Sequence, residues 1–188
     1  RVGLHQMDVD WWPDDFRFFV SRRQRAGMAV EYVVAIRGTE SNENWVLDGI
    51  FKGTSCRPAV GSCHKGFHDL AEYVYNILAF SSQYSTMRLE LGLAGENTVT
   101  LTKARLSIVG HSLGGAAGHI LHAMLLEGSP AERTALGQRI QSYYIGAPVS
   151  GDSVFATEYA NQRMYRIRRE GDTVPVVGAG LTESLYGI

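Results

Sequence analysis

The stretch Leu106-Ser-Ile-Val-Gly-His-Ser-Leu-Gly-Gly115 constrains this chain more than any other. Leu106-Ser-Ile-Val109 reads as a short buried strand, and residues 113–126, rich in Ala and Leu, read as a helix. A chain that passes from strand to helix within a few residues must reverse sharply. Gly110 and Gly114 stand two residues either side of Ser112, where such a turn admits only residues without a side chain. In that turn the serine takes a strained backbone conformation and lifts its hydroxyl above the sheet, at the positive end of the following helix. The N–H of Leu113 is then placed to bind a developing oxyanion. The five letters G-x-S-x-G alone are weak evidence, because chance would supply on the order of 0.2 such matches at this composition. Their position between strand and helix is what makes them specific. The alternative is a serine that merely N-caps a Gly-rich turn.

Around this turn the pattern alternates strands with helices, which predicts a mostly parallel sheet with helices on both faces. Strands are expected over 16–21, 30–36, 106–109, 141–145 and 164–169, with a polar turn at 22–27. Residues 30–36 are nearly continuously apolar and β-branched, as a central strand requires. Helices are expected over 44–51, 68–82, 113–126 and 152–161. In the second of these, Leu70, Val74, Ile77 and Leu78 form one apolar stripe. Gly128-Ser-Pro130 closes the helix after Ser112, and residues 89–102 read as a loop or hairpin insertion without an assigned role. From residue 106 the order is β-α-β-α-β, with right-handed crossovers expected. No internal boundary is visible, so residues 1–188 are expected to form a single domain.

Composition excludes several functions. The formal net charge is −1, so no broad field invites nucleic acid or an anionic membrane. The basic cluster Arg166, Arg168 and Arg169 reads as a solvated strand edge, with a ligand contact as the alternative. No apolar run approaches a membrane span. Cys56 and Cys63, seven apart around Pro58 and Gly61, suit a small disulfide-closed loop and hence an oxidising, secreted or extracytoplasmic setting. Two free thiols are the alternative. A zinc site drawn from Cys56, Cys63, His64 and His68 has no standard spacing, so no metal is expected.

The segments taken together resemble the class 3 (fungal-type) lipase family of the α/β-hydrolase superfamily. Val34-Ala-Ile-Arg-Gly-Thr-Glu-Ser41, followed by Asn44, Trp45 and Asp48, resembles the family's oxyanion-hole strand and the lid after it. His64-Lys-Gly-Phe67, the segment around Ser112, Gly146-Ala-Pro148 with Gly151, and Gly171-Asp-Thr-Val-Pro175 follow in the family's order. The resemblance spans about Val30 to Val176. It implies an α/β-hydrolase domain in which Ser112 is the nucleophile and Asp172 orients the triad histidine. It further implies an oxyanion hole formed by Thr39 with the Leu113 N–H. Physical reasoning agrees: Asp172 lies past a strand on a loop where sites in open α/β sheets gather. A turn-capping aspartate and a strand-end threonine are the alternatives for these two residues. Arg37 and Asp48 are read as structural anchors, and His111 as packed or hydrogen-bonded under the turn.

One departure stands out. The triad order in such folds is Ser, acid, His, yet no histidine follows Asp172 in this sequence. His119 and His122 sit within the helix after Ser112, too far along it to reach the hydroxyl. His64 matches a family position other than the base, and neither His5 nor His68 has a better claim. The chain is also short for a complete α/β-hydrolase, so it is expected to be incomplete at both ends, with the histidine beyond Ile188 in a C-terminal segment or on a second chain. Residues 1–188 alone are then expected to be inactive or very weak.

The implied chemistry is acyl transfer without metal or organic cofactor. The expected partner is a lipid or other ester, with transient contact at a lipid interface and none with nucleic acid. Trp45, Val46, Leu47, Ile50 and Phe51 suggest an amphipathic lid, or else a short helix packed on the core. A phospholipase, a soluble carboxylesterase such as a feruloyl esterase, and an acyltransferase share these residues. A non-catalytic binding protein of the same fold is the rival of a different class.

Overall fold

The computed structural model describes residues 2–6, 17–38, 53–57, 60–93, 104–128 and 130–176. Among them are eight strands: β1 (Val2–Gln6), β2 (Arg17–Arg23), β3 (Glu31–Ile36), β4 (Gly53–Ser55), β5 (Ser62–His64), β6 (Arg105–His111), β7 (Ile140–Ile145) and β8 (Met164–Ile167). The described helices are α1 (Lys65–Phe80), α2 (Ser85–Leu91), α3 (Leu113–Leu125), α4 (Pro130–Gly137) and α5 (Ser153–Glu158).

Six strands form one sheet in the order β1-β2-β3-β6-β7-β8, while β4 and β5 pair separately. β3, β6, β7 and β8 run parallel, and β2 and β1 add antiparallel at one edge. Flanked by helices, this mostly parallel sheet is the architecture expected of an α/β-hydrolase. Register aligns Ile36 with Gly110 and Gly110 with Tyr144. One face is therefore carried by Phe18, Val20, Tyr32, Val34, Ile36, Leu106, Ile108, Ile140 and Tyr144, all buried. The other face is less covered, with Ile145, Tyr165 and Ile167 exposed.

The buried face receives α3, whose start, Leu-Gly-Gly-Ala-Ala-Gly, lets its backbone come close to the strands. A Cβ on Gly118 would sit 3.3 Å from Ile108. α1 then packs on α3 through Phe67, Leu70, Ala71, Val74 and Leu78, spaced as one helical stripe. Burying such side chains stabilises the fold by roughly 1.5–3 kcal/mol each.

The expected strands appear with ends shifted by one or two residues. The helix expected at 68–82 starts earlier, at Lys65, because β5 ends at His64, whose N–H bonds to Ser150 O (3.1 Å), and the chain turns at once. Part of the stretch read as an insertion is helix α2, held by Arg88, which donates to the Leu78 and Ser81 carbonyls (3.0 and 2.7 Å). Gly128-Ser-Pro130 does follow the end of α3, and Pro130 opens α4, where its missing N–H costs nothing. β1 had no signal in the sequence pattern. The expected helix at 44–51 lies outside the described residues.

Cys56 and Cys63 are joined by a disulfide with Cα atoms 5.0 Å apart, both buried. The β4–β5 pair is bound to the segment after β7. The Ser62 N–H donates to Asp152 Oδ2 (2.8 Å), and the Asp152 N–H donates to Ser62 O (2.9 Å). Among the described residues no helix is long and apolar enough to cross a membrane.

Candidate active site

β6 ends at His111 and α3 begins at Leu113, leaving Ser112 alone to make the turn. Its φ of 52° and ψ of −125° make it the one non-glycine residue with positive φ among those described. Such a conformation costs on the order of 1–3 kcal/mol and persists only where its surroundings enforce it. Three backbone bonds do so: Ser112 N–H donates to Ile145 O (2.9 Å), and Ser112 O accepts from the N–H groups of Gly115 and Ala116 (2.9 and 3.1 Å). The turn is closed so tightly that a Cβ on Gly110 would lie 2.2 Å from Gly114 O. One on Gly114 would lie 2.4 Å from Ile36 O. Both are well inside van der Waals contact with backbone that cannot move aside.

Ser112 is 2% exposed and its side chain makes no capping hydrogen bond to α3. A serine kept for N-capping would make that bond, so the capping alternative has no support here. The N–H of Leu113, the first residue of α3, has no acceptor within the helix. The end of β3 reaches the same point. A Cβ on Gly38 would meet His111 O at 2.7 Å and Ser112 Cβ at 3.2 Å. Thr39 follows Gly38 but lies outside the described residues, as do Asp48 and the lid candidates Trp45, Val46, Leu47, Ile50 and Phe51.

Asp172 follows β8, at the same end of the sheet and two strands along from β6. Gly146 follows directly on β7, and its N–H donates to Ile167 O at the end of β8 (2.8 Å). It has a φ of 56°, and a Cβ there would lie 3.2 Å from Asp172 Oδ2. Glycine at 146 thus serves both the left-handed turn and the approach of the carboxylate. Asp172 Oδ1 accepts from the Val174 N–H (3.0 Å), and the Asp172 N–H donates to Arg169 O (3.2 Å). One carboxylate oxygen is thus occupied by its own turn, while the other faces Gly146.

Comparison with known proteins decides the family. The model of the lipase (class 3) family matches residues 33–180. The chain belongs to the class 3 lipase family. Among solved structures it is similar to a Rhizomucor miehei triacylglyceride lipase, at 26% identity and a TM-score of 0.64, covering 86% of this chain and 55% of that one. It is also similar to a lipase from Rhizopus microsporus var. chinensis, at 24% identity and a TM-score of 0.64. There it covers 94% of this chain and 56% of the other. A Rhizomucor miehei lipase in complex with its propeptide matches at 23% identity and a TM-score of 0.64, over 88% and 49%. The chain spans about half the length of these lipases. No curated protein matches it.

Within this class 3 lipase chain the histidines fall into distinct settings. His119, on α3, is half-buried, its Nδ1 paired with Ser150 Oγ (2.6 Å) and its ring against Tyr144 and Phe155. Burial, with a smaller contribution from Arg166, pushes its pKa down to about 4. His122 pairs through Nδ1 with Ser142 Oγ (2.6 Å), which in turn bonds the Tyr144 hydroxyl. Burial, then His119, pushes its pKa down to about 3. Both are neutral near pH 7, and His122 is fully buried. His64 stacks on Phe67 at 4.2 Å and is also held below its ordinary value by burial. His68 lies beside Asp69 in α1. His111 corrects the expectation that it packs beneath the turn: it is exposed. Its Nε2 is 3.6 Å from the Cβ position of Gly146, on the side that carries Asp172. Alternation along β6 explains this, since Gly110 faces the helices and its neighbour must face away.

Neither expectation for Arg166, a solvated strand edge or a ligand contact, covers what its side chain does. Its Nη2 donates to Ala147 O (2.8 Å) and Pro175 O (2.6 Å). No spacing rule signals a side chain that bonds two distant carbonyls.

Proposed function

We propose that the protein to which these residues belong is a serine hydrolase of carboxylic esters, a lipase acting on acylglycerols. The observation that carries this reading is Ser112. It is a strained, tightly enclosed serine with no capping bond, at the top of a parallel strand, in a chain of the class 3 lipase family.

In the proposed mechanism Ser112 Oγ, deprotonated by a histidine that Asp172 orients, attacks the ester carbonyl. The Leu113 N–H and Thr39 stabilise the oxyanion. The alcohol leaves with the proton returned by the histidine, and water then releases the acid by the same route. No metal or organic cofactor enters. The histidine is proposed to lie in sequence after Ile188 or on a second chain, because none follows Asp172 and the two described histidines of α3 are engaged in bonds of their own. Residues 45–51 are proposed as an amphipathic lid that meets the lipid interface. The buried disulfide supports an oxidising, secreted or extracytoplasmic setting.

The test is covalent labelling of the full-length protein with a fluorophosphonate, read by intact mass and peptide mapping. Label on Ser112, absent from Ser112→Ala, is the expected result. A full-length protein that takes no label points instead to a non-catalytic binding protein of the same fold. Turnover of triacylglycerol against water-soluble esters and phospholipids separates lipase from esterase and phospholipase. A rate that does not rise when the substrate passes its aggregation limit counts against a working lid.

A further inference from the structure

We infer that Arg166 is a positioning residue that sets the nucleophile and the acid at working distance, by tying the turn after β7 to the segment after Asp172. The inference rests on the serine hydrolase reading and deepens it. Arg166 is the third residue of β8, and one nitrogen, Nη2, donates to carbonyls of two separate segments. Ala147 belongs to the turn that continues from Gly146, and Pro175 lies three residues after Asp172.

Each of these segments touches one reacting group. On one side, a Cβ on Gly115 would lie 2.8 Å from Ala147 Cβ, so Ala147 packs against the first turn of α3, next to Ser112. On the other side, the 3₁₀ turn Val174–Val176 contains Pro175 and starts with the N–H that Asp172 Oδ1 accepts. A continuous chain of contacts therefore runs from the elbow through Ala147, the guanidinium and Pro175 to Asp172. Arg169 O, bonded by the Asp172 N–H, fixes only the near side of the loop. Arg166 ties its far side to the turn beside the elbow.

Arginine suits this task. It remains charged and holds its donors in a rigid plane. Both bonds are part-buried although the residue as a whole is exposed, so water competes for the two carbonyls once the guanidinium is gone. A lysine could reach one carbonyl at a time as a point charge. Misplacing a catalytic group by about 1 Å costs on the order of 100-fold in rate, which sets the expected effect.

The experiment compares full-length wild type, Arg166→Met, Arg166→Lys and Arg22→Gln, the last at the opposite end of the sheet. Fluorophosphonate labelling rate, kcat, KM and Tm are measured for each. Arg166→Met is expected to lose about 100-fold in kcat and labelling rate, with KM within about twofold. Arg166→Lys is expected between it and wild type. Arg22→Gln is expected to lower Tm without changing kcat. A wild-type kcat in Arg166→Met overturns the inference. So does a fall in kcat that Arg22→Gln shares at an equal loss of Tm. Should Arg166→Met not fold, Arg166→Lys decides: an intermediate kcat supports the inference and an unchanged one overturns it. A wild type that neither labels nor turns over ester overturns the hydrolase reading and this inference together, which separates that failure from the others.

Discussion

The two ends of the parallel strands are built on opposite principles. At the carboxyl end, β6 runs into a residue of φ 52°, and glycines at 110 and 114 leave no room for even one carbon. At the amino end, the conformations are ordinary and the polar groups satisfy one another. Arg22 donates to Glu90 (2.7 Å) and Tyr32 (3.1 Å), and the Tyr32 hydroxyl donates to Glu90 (2.5 Å). The hydrogen bond to Glu90 raises the Arg22 pKa, and that from Arg22 lowers the Glu90 pKa. Burial pushes Tyr32 up to about 12. Among the described residues, one end spends stability on a strained serine that makes no capping bond, and the other contributes stability through bonded polar groups. The contrast locates chemistry without reference to any motif.

Substitutions at the two ends should therefore separate rate from stability. The largest effect is on rate: Ser112→Ala in the full-length protein is expected to lower ester turnover by about 10⁶-fold while Tm stays near wild type. A Ser112→Ala protein that still turns over substrate at more than a thousandth of the normal rate sinks the assignment. Next comes Gly114→Ala, whose Cβ meets the Ile36 carbonyl. It is expected to cost roughly 3 kcal/mol in urea unfolding and to abolish labelling of residue 112.

His119 and His122, under the carboxyl end, predict a pH dependence that Glu31 and Glu90 at the amino end do not share in the same range. His119 and His122 have folded pKa values near 4 and 3, below the ordinary 6.5. Their neutral forms favour the fold, so their contribution is complete above 6.5. It declines as pH falls from 6.5 towards 4, by up to about 1.4 kcal/mol per pH unit for each group. Melting curves at pH 7, 6 and 5 should show this decline, and His119→Gln or His122→Gln should flatten it. The carboxylates of Glu31 and Glu90 are held below the ordinary 4.5 by Arg23 and Arg22, so their contribution is complete above that pH and is lost only as pH falls below it.

The smallest effects sharpen the contrast. Arg22→Gln is expected to cost about 1 kcal/mol, since both partners keep about a quarter to a third of their surface in water, and to leave turnover unchanged. Ser112→Gly is expected to be more stable than Ser112→Ala by about 1 kcal/mol, because glycine takes the elbow conformation without strain. Equal stabilities would mean that the turn holds no strain.

What the sequence alone determined was local. The elbow was legible because its steric demands fall on residues two apart, and the main strands because burial imposes a period of two or a continuous apolar run. The assignment of Asp172 to the serine's end of the sheet was open to a reading from chain order, since carboxyl ends gather loops. Tertiary structure alone decided what depends on contact across the chain. It put His111 on the exposed side next to Gly146 and set His119 and His122 in polar pairs. It also closed the disulfide and gave Arg166 two carbonyls from segments far apart in sequence. Spacing encodes what a turn or a helix face needs. It carries no record of which distant backbone oxygen a long side chain will meet, because that meeting is fixed only when the sheet and its helices pack.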